Sequence, residues 1–398
     1  MEETTSRFDV IVVGAGPAGL SAARVVAEHG LSVTIIDEFP LPGGRMNGQF
    51  HEEPDTGLWV GKEVAAKLVS ETTELGVVFR CGQAVHDIVR TATGWSVKLT
   101  GENVQGTFLL LATGAAEIPT PLPGWTLPGV MSVGAAQVMT NVHYVKPGKR
   151  GIVIGVNVLA MAIASELIAS EVELVSIVLP AKSPFTKEAA NPAAVFQTLI
   201  GLSHMAPSAL LRIGGKWAKR LRLSRVATRF LPKRGIKMWG VPLQLRTAAL
   251  QINGIDKVES VTLADVNRAG ELIPGSERDV DVDFVAIAGG LYPMAELASV
   301  IGCPFTYIPA LGGHIPVHDE QLRTPVDKLY VAGNITGIES AKVAMAQGRL
   351  AGASICQDAG LCDEVSAAMQ DVVRTRAKSL IQFAPGIAEA RESLYHVR

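Results

Sequence analysis

Short apolar runs, separated by glycine turns and helical stretches, divide this chain into strand–helix–strand segments. The first run, "FDVIVV" (8–13), is β-branched and typical of a buried strand, and an apolar helix to about Glu28 follows a glycine loop. A second strand, "LSVTIID", ends at Asp37. This order predicts a βαβ unit over 8–37.

The same pattern recurs further along the chain. Buried strands are predicted at "TFLLLATGA" (107–115), "VELVSIVL" (172–179), "VDFVAIAGGLYP" (282–293) and "KLYVAGN" (328–334). A second βαβ unit is predicted from near Arg150, and a last helix from about Ile338. Four prolines in 118–129 indicate a crossover linker.

These segments predict an α/β fold with two Rossmann-like domains, the second inserted in the first, and the glycine loops that follow their first strands indicate dinucleotide binding of the FAD and NAD(P) type. The expected bounds are 1–120 for the first part of the FAD-binding domain and 121–293 for the inserted NAD(P)-binding-like domain. The second part of the FAD-binding domain, with C-terminal helices, is expected over 294–398.

Composition narrows the function classes. The 398 residues leave room for two domains, and a net charge of −2 gives no pull toward nucleic acid or a membrane surface. The four cysteines form no CxxC motif, so no metal site is expected. These sparse cysteines also predict a reduced, cytoplasmic chain. The acidic N-terminus lacks the features of a signal peptide, and the lack of an 18-residue apolar run predicts no membrane span.

One basic segment differs from the rest. No acidic residue occurs in 190–255, and ten Lys and Arg residues lie between Arg212 and Lys237, interleaved with apolar residues at roughly helical spacing. Two interpretations stay open: the solvated face of an amphipathic helix, or a docking surface for an acidic partner or anion. Nucleic acid is disfavoured, because the chain contains no module that reads it.

The first glycine loop, "GAGPAGL" (14–20), lies between a predicted strand and a helix, where a GxGxxG motif indicates a dinucleotide site. Gly14 allows the tight turn, Gly16 lets the backbone approach a pyrophosphate, and Gly19 lets helix and strand pack closely. Asp37, 23 residues after Gly14, is the candidate acceptor for a ribose hydroxyl, with Glu38 as the alternative.

The continuation "PLPGGRM" favours FAD as the dinucleotide. Its second glycine pair, Gly43–Gly44, lets the chain pass close to the ligand, and Arg45 adds a charged donor. Arg45, Met46, Asn47 and Gln49 are expected to line the flavin rather than to act on a substrate.

With these motifs, "LLLATGA" and "LYVAGNITGIESA" resemble the thioredoxin reductase and glutathione reductase superfamily of flavoproteins. The resemblance implies that FAD contacts come from the residues that match its motifs: Pro17 and Ala18 in the first loop, Val85, Thr113 and Gly114, Gly333 and Asn334, and Ala341. It also implies that the helix after Gly337 points its N-terminus at the flavin N1–C2=O edge, which favours the anionic reduced flavin.

The second glycine loop, "GVNVLA" (155–160), departs from the motif. Asn157 stands where the second glycine belongs, and a Cβ there crowds a pyrophosphate. The next strand ends in "IVLPAK", without an acid for a ribose 2′-hydroxyl; Lys182 is the only candidate for a 2′-phosphate. The loop is therefore expected to keep its fold while NAD(P) binding is disfavoured.

The C-terminal half resembles a narrower group. "VAIAGGLYPMAELASVIGC" and "PALGGHIPVHDEQLRTPVDKLYVAGN" are similar to the FAD-binding subunits of hetero-oligomeric dye-linked proline and opine dehydrogenases and of hydrogen cyanide synthase, with kinship to sarcosine oxidase. This resemblance implies an electron-relaying redox subunit whose partner is an amine-oxidising flavoprotein subunit, with a small iron–sulfur subunit as a further candidate. FMN or a [2Fe–2S] cluster would belong to, or be shared with, such partners.

A catalytic residue does not emerge from the sequence, because His51, His143, His314 and His318 are isolated. Dithiol chemistry within this chain alone is excluded, since the redox CxxC of thioredoxin reductases is missing. Two alternatives to the redox subunit remain: a free-standing NAD(P)H-dependent FAD oxidoreductase, and a non-catalytic scaffold with structural FAD.

Overall fold

The chain is built on two β-sheets, and in each sheet the central strands run parallel. The computed structural model describes residues 4–53, 57–201, 235–379, 383–384 and 386–396. These residues fall into two units. The first comprises the described parts of Met1–Gln49, Val60–Ala116 and Leu291–Arg398, and the second those of Phe50–Trp59 and Glu117–Gly290. The sequence pattern did not predict that Phe50–Trp59 belongs to the second unit. The assignment of each unit to a particular nucleotide stays a prediction.

The described strands are β1 (Thr4–Val13), β2 (Val33–Asp37), β3 (Phe50–Glu53), β4 (Gly57–Val60), β5 (Val78–Cys81), β6 (Asp87–Arg90), β7 (Trp95–Leu99), β8 (Glu102–Leu111), β9 (Ala115–Glu117), β10 (Val130–Ser132), β11 (Arg150–Ile154), β12 (Glu173–Pro180), β13 (Ile236–Met238), β14 (Val241–Asn253), β15 (Ser260–Asp265), β16 (Arg278–Asp281), β17 (Phe284–Ile287), β18 (Leu291–Pro293), β19 (Phe305–Ile308), β20 (Gly313–Pro316) and β21 (Leu329–Val331).

The described α-helices are α1 (Pro17–Glu28), α2 (Gly61–Glu74), α3 (Val133–Asn141), α4 (Val158–Ala169), α5 (Pro192–Gly201), α6 (Glu296–Val300), α7 (Ala341–Asp358), α8 (Val365–Lys378) and α9 (Ile387–Tyr395). Short 3-10 turns lie at Gly44–Gly48, Lys187–Ala190, Pro309–Leu311 and Gly333–Thr336.

The first unit is built on a sheet in the order β5–β2–β1–β8–β7–β6, with β21 also paired to β8. Strands β5, β2, β1, β8 and β21 run parallel, whereas β6 and β7 are antiparallel. The run Val10–Val13 is almost fully buried, which explains why this strand is apolar without alternation. Helices α1 and α7 pack so closely that a Cβ on Gly348 would lie 2.1 Å from the Ala18 carbonyl oxygen.

The second unit repeats this arrangement. Its sheet has the order β10–β17–β11–β12–β14–β15–β16, and β13 pairs with β14. The strands from β10 to β14 along this order are parallel, and β15, β16 and β13 are antiparallel additions. The predicted α/β class with two Rossmann-like units is therefore confirmed.

The last predicted helix and the predicted basic segment have different outcomes. The helix expected from about Ile338 begins at Ala341, because residues 333–336 form a 3-10 turn and Ser340 caps the α-helix through its hydroxyl. The basic segment cannot be placed: residues 212–234 lie outside the described residues, and Lys237 lies in β13. Both interpretations of that segment stay open.

Candidate functional site

The carboxyl ends of four parallel strands meet at one edge of the first sheet. Val13 of β1 is in register with Ile36 of β2 and with Leu111 of β8, and Leu111 is in register with Val331 of β21. Each of the loops that follow these strands carries predicted site residues. In open α/β sheets this edge is where ligands bind.

The first loop leaves β1 with the geometry that its glycines require. Gly14 has φ +107°, and a Cβ there would lie 2.3 Å from the Ala112 carbonyl oxygen. A Cβ on Gly19 would lie 1.9 Å from the Gly14 carbonyl oxygen. At Gly16, by contrast, no atom of the described residues, apart from its chain neighbours, lies within 4 Å of the Cβ position. Gly14 and Gly19 are thus required by the protein itself, whereas Gly16 faces space that a ligand can use.

Helix α1 begins directly after this loop. Gly16 is its N-cap residue and Pro17 its first residue, and no described side chain caps the helix. The first N–H groups of a helix have no partner within the helix, and its N-terminus attracts negative charge. The N–H groups at the start of α1, beginning with that of Ala18 because Pro17 has none, therefore suit an anion such as a pyrophosphate, and this contact stays a prediction.

Asp37, at the end of β2, is tied to the same loop. Its carboxylate accepts hydrogen bonds from the Ala15 amide at 2.6 Å and from the Phe39 amide at 2.8 Å. Burial raises the pKa of the Asp37 carboxyl, and these two bonds oppose the shift. The carboxylate has further lone pairs for a ribose hydroxyl. Glu38 is exposed, so the geometry favours Asp37 over Glu38 for this role.

The second glycine pair packs against the first loop. The Gly43 amide donates to the Ala15 carbonyl oxygen at 2.8 Å, and a Cβ on Gly44 would lie 3.1 Å from the Gly16 Cα. The 3-10 turn Gly44–Gly48 then exposes Arg45 and buries Met46, which is 1% exposed. Met46 supports the turn from the core, and its expected flavin contact stays a prediction, as does that of Arg45.

The turn after β8 adjoins the first loop as well. The Thr113 hydroxyl donates to the Met294 carbonyl oxygen, and the Met294 amide donates to the Gly114 carbonyl oxygen at 3.0 Å. These two bonds hold the Thr113–Gly114 turn at the edge of the sheet. Val85, in the loop after β5, is half-buried and packs on the apolar cluster beneath the strands.

The loop after β21 completes this edge. A Cβ on Gly333 would lie 2.8 Å from the Ala18 Cβ, so this loop contacts the first turn of α1. The Asn334 side-chain oxygen accepts a hydrogen bond from the Glu339 amide at 3.1 Å. Ala341 is the first residue of α7. The structure thus brings the predicted residues of the first unit to one edge; their individual contacts with FAD stay predictions.

The second unit has a glycine turn like that of the first loop, but the residue before its helix is different. Gly155 has φ +108°, and its Cβ would lie 2.4 Å from the Ala288 carbonyl oxygen, as at Gly14. The Asn157 side-chain oxygen, however, accepts a hydrogen bond from the Ala160 amide at 2.8 Å, and its amide nitrogen donates to the Ala288 carbonyl oxygen at 3.2 Å. Asn157 caps α4 and takes an N–H group that would otherwise face a phosphate. Lys182, beyond the strand tip, is exposed.

With both loops described, comparison with known proteins decides the family. Residues 8–196 and 220–348 match the pyridine nucleotide-disulphide oxidoreductase family, and both glycine loops lie within the matched residues. The chain belongs to this family. As a member, it is an FAD-dependent oxidoreductase, which confirms the enzyme class that the resemblance implied and the FAD cofactor that the first loop and its continuation favoured.

The relatives of this oxidoreductase confirm the narrower resemblance. An opine oxidase subunit of Agrobacterium tumefaciens (strain Ach5) is 29% identical over 368 residues, which cover 88% of this chain and 66% of that protein. The HcnB subunit of hydrogen cyanide synthase from Pseudomonas protegens is 24% identical over 386 residues, covering 94% of this chain and 76% of that protein. The chain thus spans just under two thirds of the opine oxidase protein.

A solved structure supports the fold. L-proline dehydrogenase from P. horikoshii superposes with a TM-score of 0.67 at 20% identity, over 94% of this chain and 60% of that chain. No helix in the described part of the oxidoreductase is long and apolar enough to cross a membrane.

The residues at the edge of the first sheet fit FAD. The free space at the Cβ position of Gly16, the uncapped start of α1 and the carboxylate of Asp37 match the needs of a pyrophosphate and a ribose. When bound, FAD supplies the redox chemistry, while the protein orients it and sets its electrostatic surroundings. In the second unit the corresponding helix start is capped by Asn157, and the strand that corresponds to β2 ends without an acid.

Two buried polar clusters escaped the sequence reasoning. The first joins Glu339 to Arg376 and Arg391, which lie 37 and 52 residues further along the chain. The second surrounds Glu166 of α4, which is 7% exposed. A buried Glu in an apolar helix was a visible signal for the second cluster. No local pattern links Glu339 to its arginines, because their separation in sequence is too large.

Glu166 accepts hydrogen bonds from three donors of the second unit. Gln137 donates at 2.8 Å, Asn141 at 2.7 Å and the Phe50 amide at 3.4 Å. Burial nevertheless raises the pKa of the Glu166 carboxyl to about 7, and these bonds only partly offset that rise. The cluster therefore contains a carboxyl group that changes its charge near neutral pH.

The four histidines that were considered as catalytic candidates occupy separate environments. His143 and His314 are exposed, and His314 lies against the Tyr307 ring. His51 stacks on Trp59 with ring centroids 6.1 Å apart. His318 is buried, and burial, with a smaller effect of Arg391, lowers the pKa of its imidazole to about 3.

Proposed function

We propose that this oxidoreductase is the FAD-containing redox subunit of a multi-subunit amino- or imino-acid dehydrogenase or oxidase. Its substrate would be of the proline, opine, glycine or sarcosine type, oxidised in a partner flavoprotein subunit. Electrons would then pass from the partner to the FAD of this chain. A small iron–sulfur subunit is a further candidate partner, with FMN or a [2Fe–2S] cluster held in or shared with the partners.

The observation that carries this proposal is the contrast between Gly16 and Asn157. The first loop keeps an uncapped helix start and free space for a pyrophosphate, whereas Asn157 caps the equivalent helix of the second unit. A pyrophosphate at the second loop would have to displace the bond from the Ala160 amide. This arrangement disfavours NAD(P)H as the source of electrons, so another donor has to reduce the FAD.

The relatives support a protein donor. The opine oxidase and hydrogen cyanide synthase relatives are both named as subunits of larger enzymes. The four cysteines of this chain form no CxxC pair for dithiol exchange. An electron-relaying FAD without substrate chemistry of its own requires a neighbouring redox subunit.

The test is co-expression of this chain with the proteins encoded beside it, followed by size-exclusion chromatography and dye-reduction assays with proline, opines, glycine and sarcosine. We expect a stable complex whose flavin is reduced by one of these substrates only when the partner is present. A chain that runs alone in every combination, and whose FAD no amine reduces, would contradict the proposal. Rapid reduction by NADH or NADPH without a partner would instead identify a free-standing reductase.

A further inference from the structure

A buried cluster with one excess positive charge contacts the loop between β21 and α7. Glu339 is 7% exposed, and its carboxylate accepts from Arg391 at 2.7 Å. Arg376 donates to both carboxylate oxygens, at 2.6 and 3.1 Å. Two guanidinium groups thus share one carboxylate.

The charges of this cluster do not cancel. Burial alone would raise the pKa of the Glu339 carboxyl, but Arg391 and Arg376 outweigh burial and lower it, so Glu339 is ionised. The nearby His318 adds no charge, because burial and Arg391 keep its imidazole neutral. One carboxylate and two guanidinium groups leave the cluster with a net charge of +1. The Arg391 Nε–H has no partner among the described residues.

The cluster is bonded to the loop that carries the predicted flavin contacts. Arg391, 2% exposed, donates to the Thr336 hydroxyl at 3.1 Å and to the Gly337 carbonyl oxygen at 3.5 Å. The Glu339 amide in turn donates to the Asn334 side chain at 3.1 Å. The positive charge therefore lies along the segment that joins the Gly333–Asn334 contact to the start of α7.

Helix α9 carries Arg391 to this position. Ile387 and Leu394 of that helix pack against Leu311 and Ile315, which fixes its apolar face. Arg391 is the buried polar residue between them. An arginine held in this way cannot relax into solvent, and in a medium of low dielectric constant its charge acts over a longer range than at the surface.

From these contacts we infer that the cluster of Glu339, Arg376 and Arg391 is an electrostatic element of the FAD site. Its excess positive charge stabilises the anionic form of the reduced flavin, and Arg391 acts as a positioning residue for the loop from Gly333 to Glu339. The inference rests on FAD binding in the first unit, and it adds residues from the C-terminal helices α8 and α9 to that site. A fixed positive charge in the protein stabilises negative charge that develops on a bound group during the reaction, and it does so most effectively where water is excluded.

The experiment measures the equilibrium between oxidised and reduced FAD in the flavin-loaded full chain, against a reference dye. For Arg391→Gln, which removes one positive charge, we expect the ratio of reduced to oxidised flavin to fall about tenfold at fixed dye potential, or about 30 mV for a two-electron couple. Arg391→Lys keeps the charge and should stay within about threefold of the parent chain.

Arg376→Gln is the second variant, because Arg391→Gln could disturb the docking of α9. Arg376 retains 21% side-chain exposure, so its loss leaves a smaller gap, and we expect a shift in the same direction. Arg323→Gln is the control: Arg323 forms an ion pair at 2.8 Å with Asp358, the last residue of α7, so it lies at the opposite end of that helix from Glu339, and its loss should leave the ratio unchanged.

The outcomes separate this inference from the proposed function. The inference is overturned if the Arg391→Gln and Arg376→Gln variants both bind FAD and keep the parent's ratio of reduced to oxidised flavin. It is also overturned if Arg323→Gln changes that ratio by the same factor. A parent chain that binds no FAD overturns it together with the cofactor assignment. Shifts in the expected direction in a chain that needs no partner subunit support the inference while the proposed relay role fails.

Discussion

The Asn157 side-chain oxygen accepts a hydrogen bond from the Ala160 amide at 2.8 Å, so the second dinucleotide loop caps its own helix. The equivalent N-cap position of the first unit is Gly16, which has no side chain. The two loops otherwise share their turn, since Gly14 and Gly155 have φ values of +107° and +108°. The residue at the N-cap therefore distinguishes a helix whose start has no side-chain cap from a helix that is capped by its own loop.

Gly16→Val should abolish FAD binding while the fold is retained. Gly16 has an extended backbone with φ −77° and ψ −175°, which valine adopts readily, and a Cβ there meets no atom of the described residues within 4 Å apart from its chain neighbours. The valine methyl groups extend from this Cβ. They fill the space expected for the pyrophosphate. The flavin-to-protein ratio is measured by absorbance and the fold by circular dichroism. Gly16→Ala should give an intermediate loss, and a fully yellow valine variant would refute the assignment.

Wild-type protein should be reduced by NADH and NADPH too slowly for turnover, as followed by stopped-flow absorbance. Asn157→Gly removes the side-chain cap at a stability cost of only a few tenths of a kcal/mol and should raise the reduction rate. Asn157→Ala is the control, because it removes the cap but keeps a Cβ near the phosphate position. Fast reduction of the wild type at micromolar cofactor would contradict this prediction.

Thr113→Val should weaken FAD binding by about fivefold, corresponding to one lost hydrogen bond of about 1 kcal/mol. The Thr113 hydroxyl donates to the Met294 carbonyl oxygen and holds the turn in place before the ligand arrives. Thr113→Ser keeps the donor and should bind FAD as the parent does. Titration of the apoprotein with FAD measures both constants, and equal affinities of the valine variant and the parent would exclude this role for Thr113.

Glu166→Gln should remove a pH dependence of stability. Burial raises the pKa of Glu166 from 4.5 to about 7, so the folded protein holds its proton more tightly than the unfolded chain. Its contribution is fully present below about pH 4.5 and is lost as the pH rises through about 7. The loss approaches about 3 kcal/mol at pH 8.

Chemical denaturation at pH 5 and pH 8 checks this expectation. The amide of the glutamine variant resembles the protonated carboxyl, so its stability relative to the parent should increase from pH 5 to pH 8. Glu188→Gln, at an exposed carboxylate of the same unit, should show no such change. The same pH profile for Glu166→Gln and the parent would show that Glu166 does not titrate in this range.

Much of the first site could be predicted because its determinants are local. The order of strand, glycine loop, helix and strand, with Asp37 at the second strand tip, indicates a dinucleotide site from backbone sterics alone. A Cβ at position 14 or 19 collides with neighbouring backbone, and such requirements leave glycines at fixed spacing in the sequence. The same local logic identified Asn157 as a departure.

Tertiary structure alone decided which distant groups meet. Arg376 and Arg391 reach Glu339 across 37 and 52 residues, and Glu166 meets Gln137 and Asn141 from a neighbouring helix. Such pairings depend on how the helices pack against each other. Packing is driven by the burial of apolar side chains, and many relative positions of two helices bury a similar apolar area. The sequence by itself determined the fold class, the first nucleotide loop and the altered second loop. The buried charges, and the role of Asn157 as a helix cap, depend on the folded arrangement, because burial and partners give those side chains their electrostatic properties.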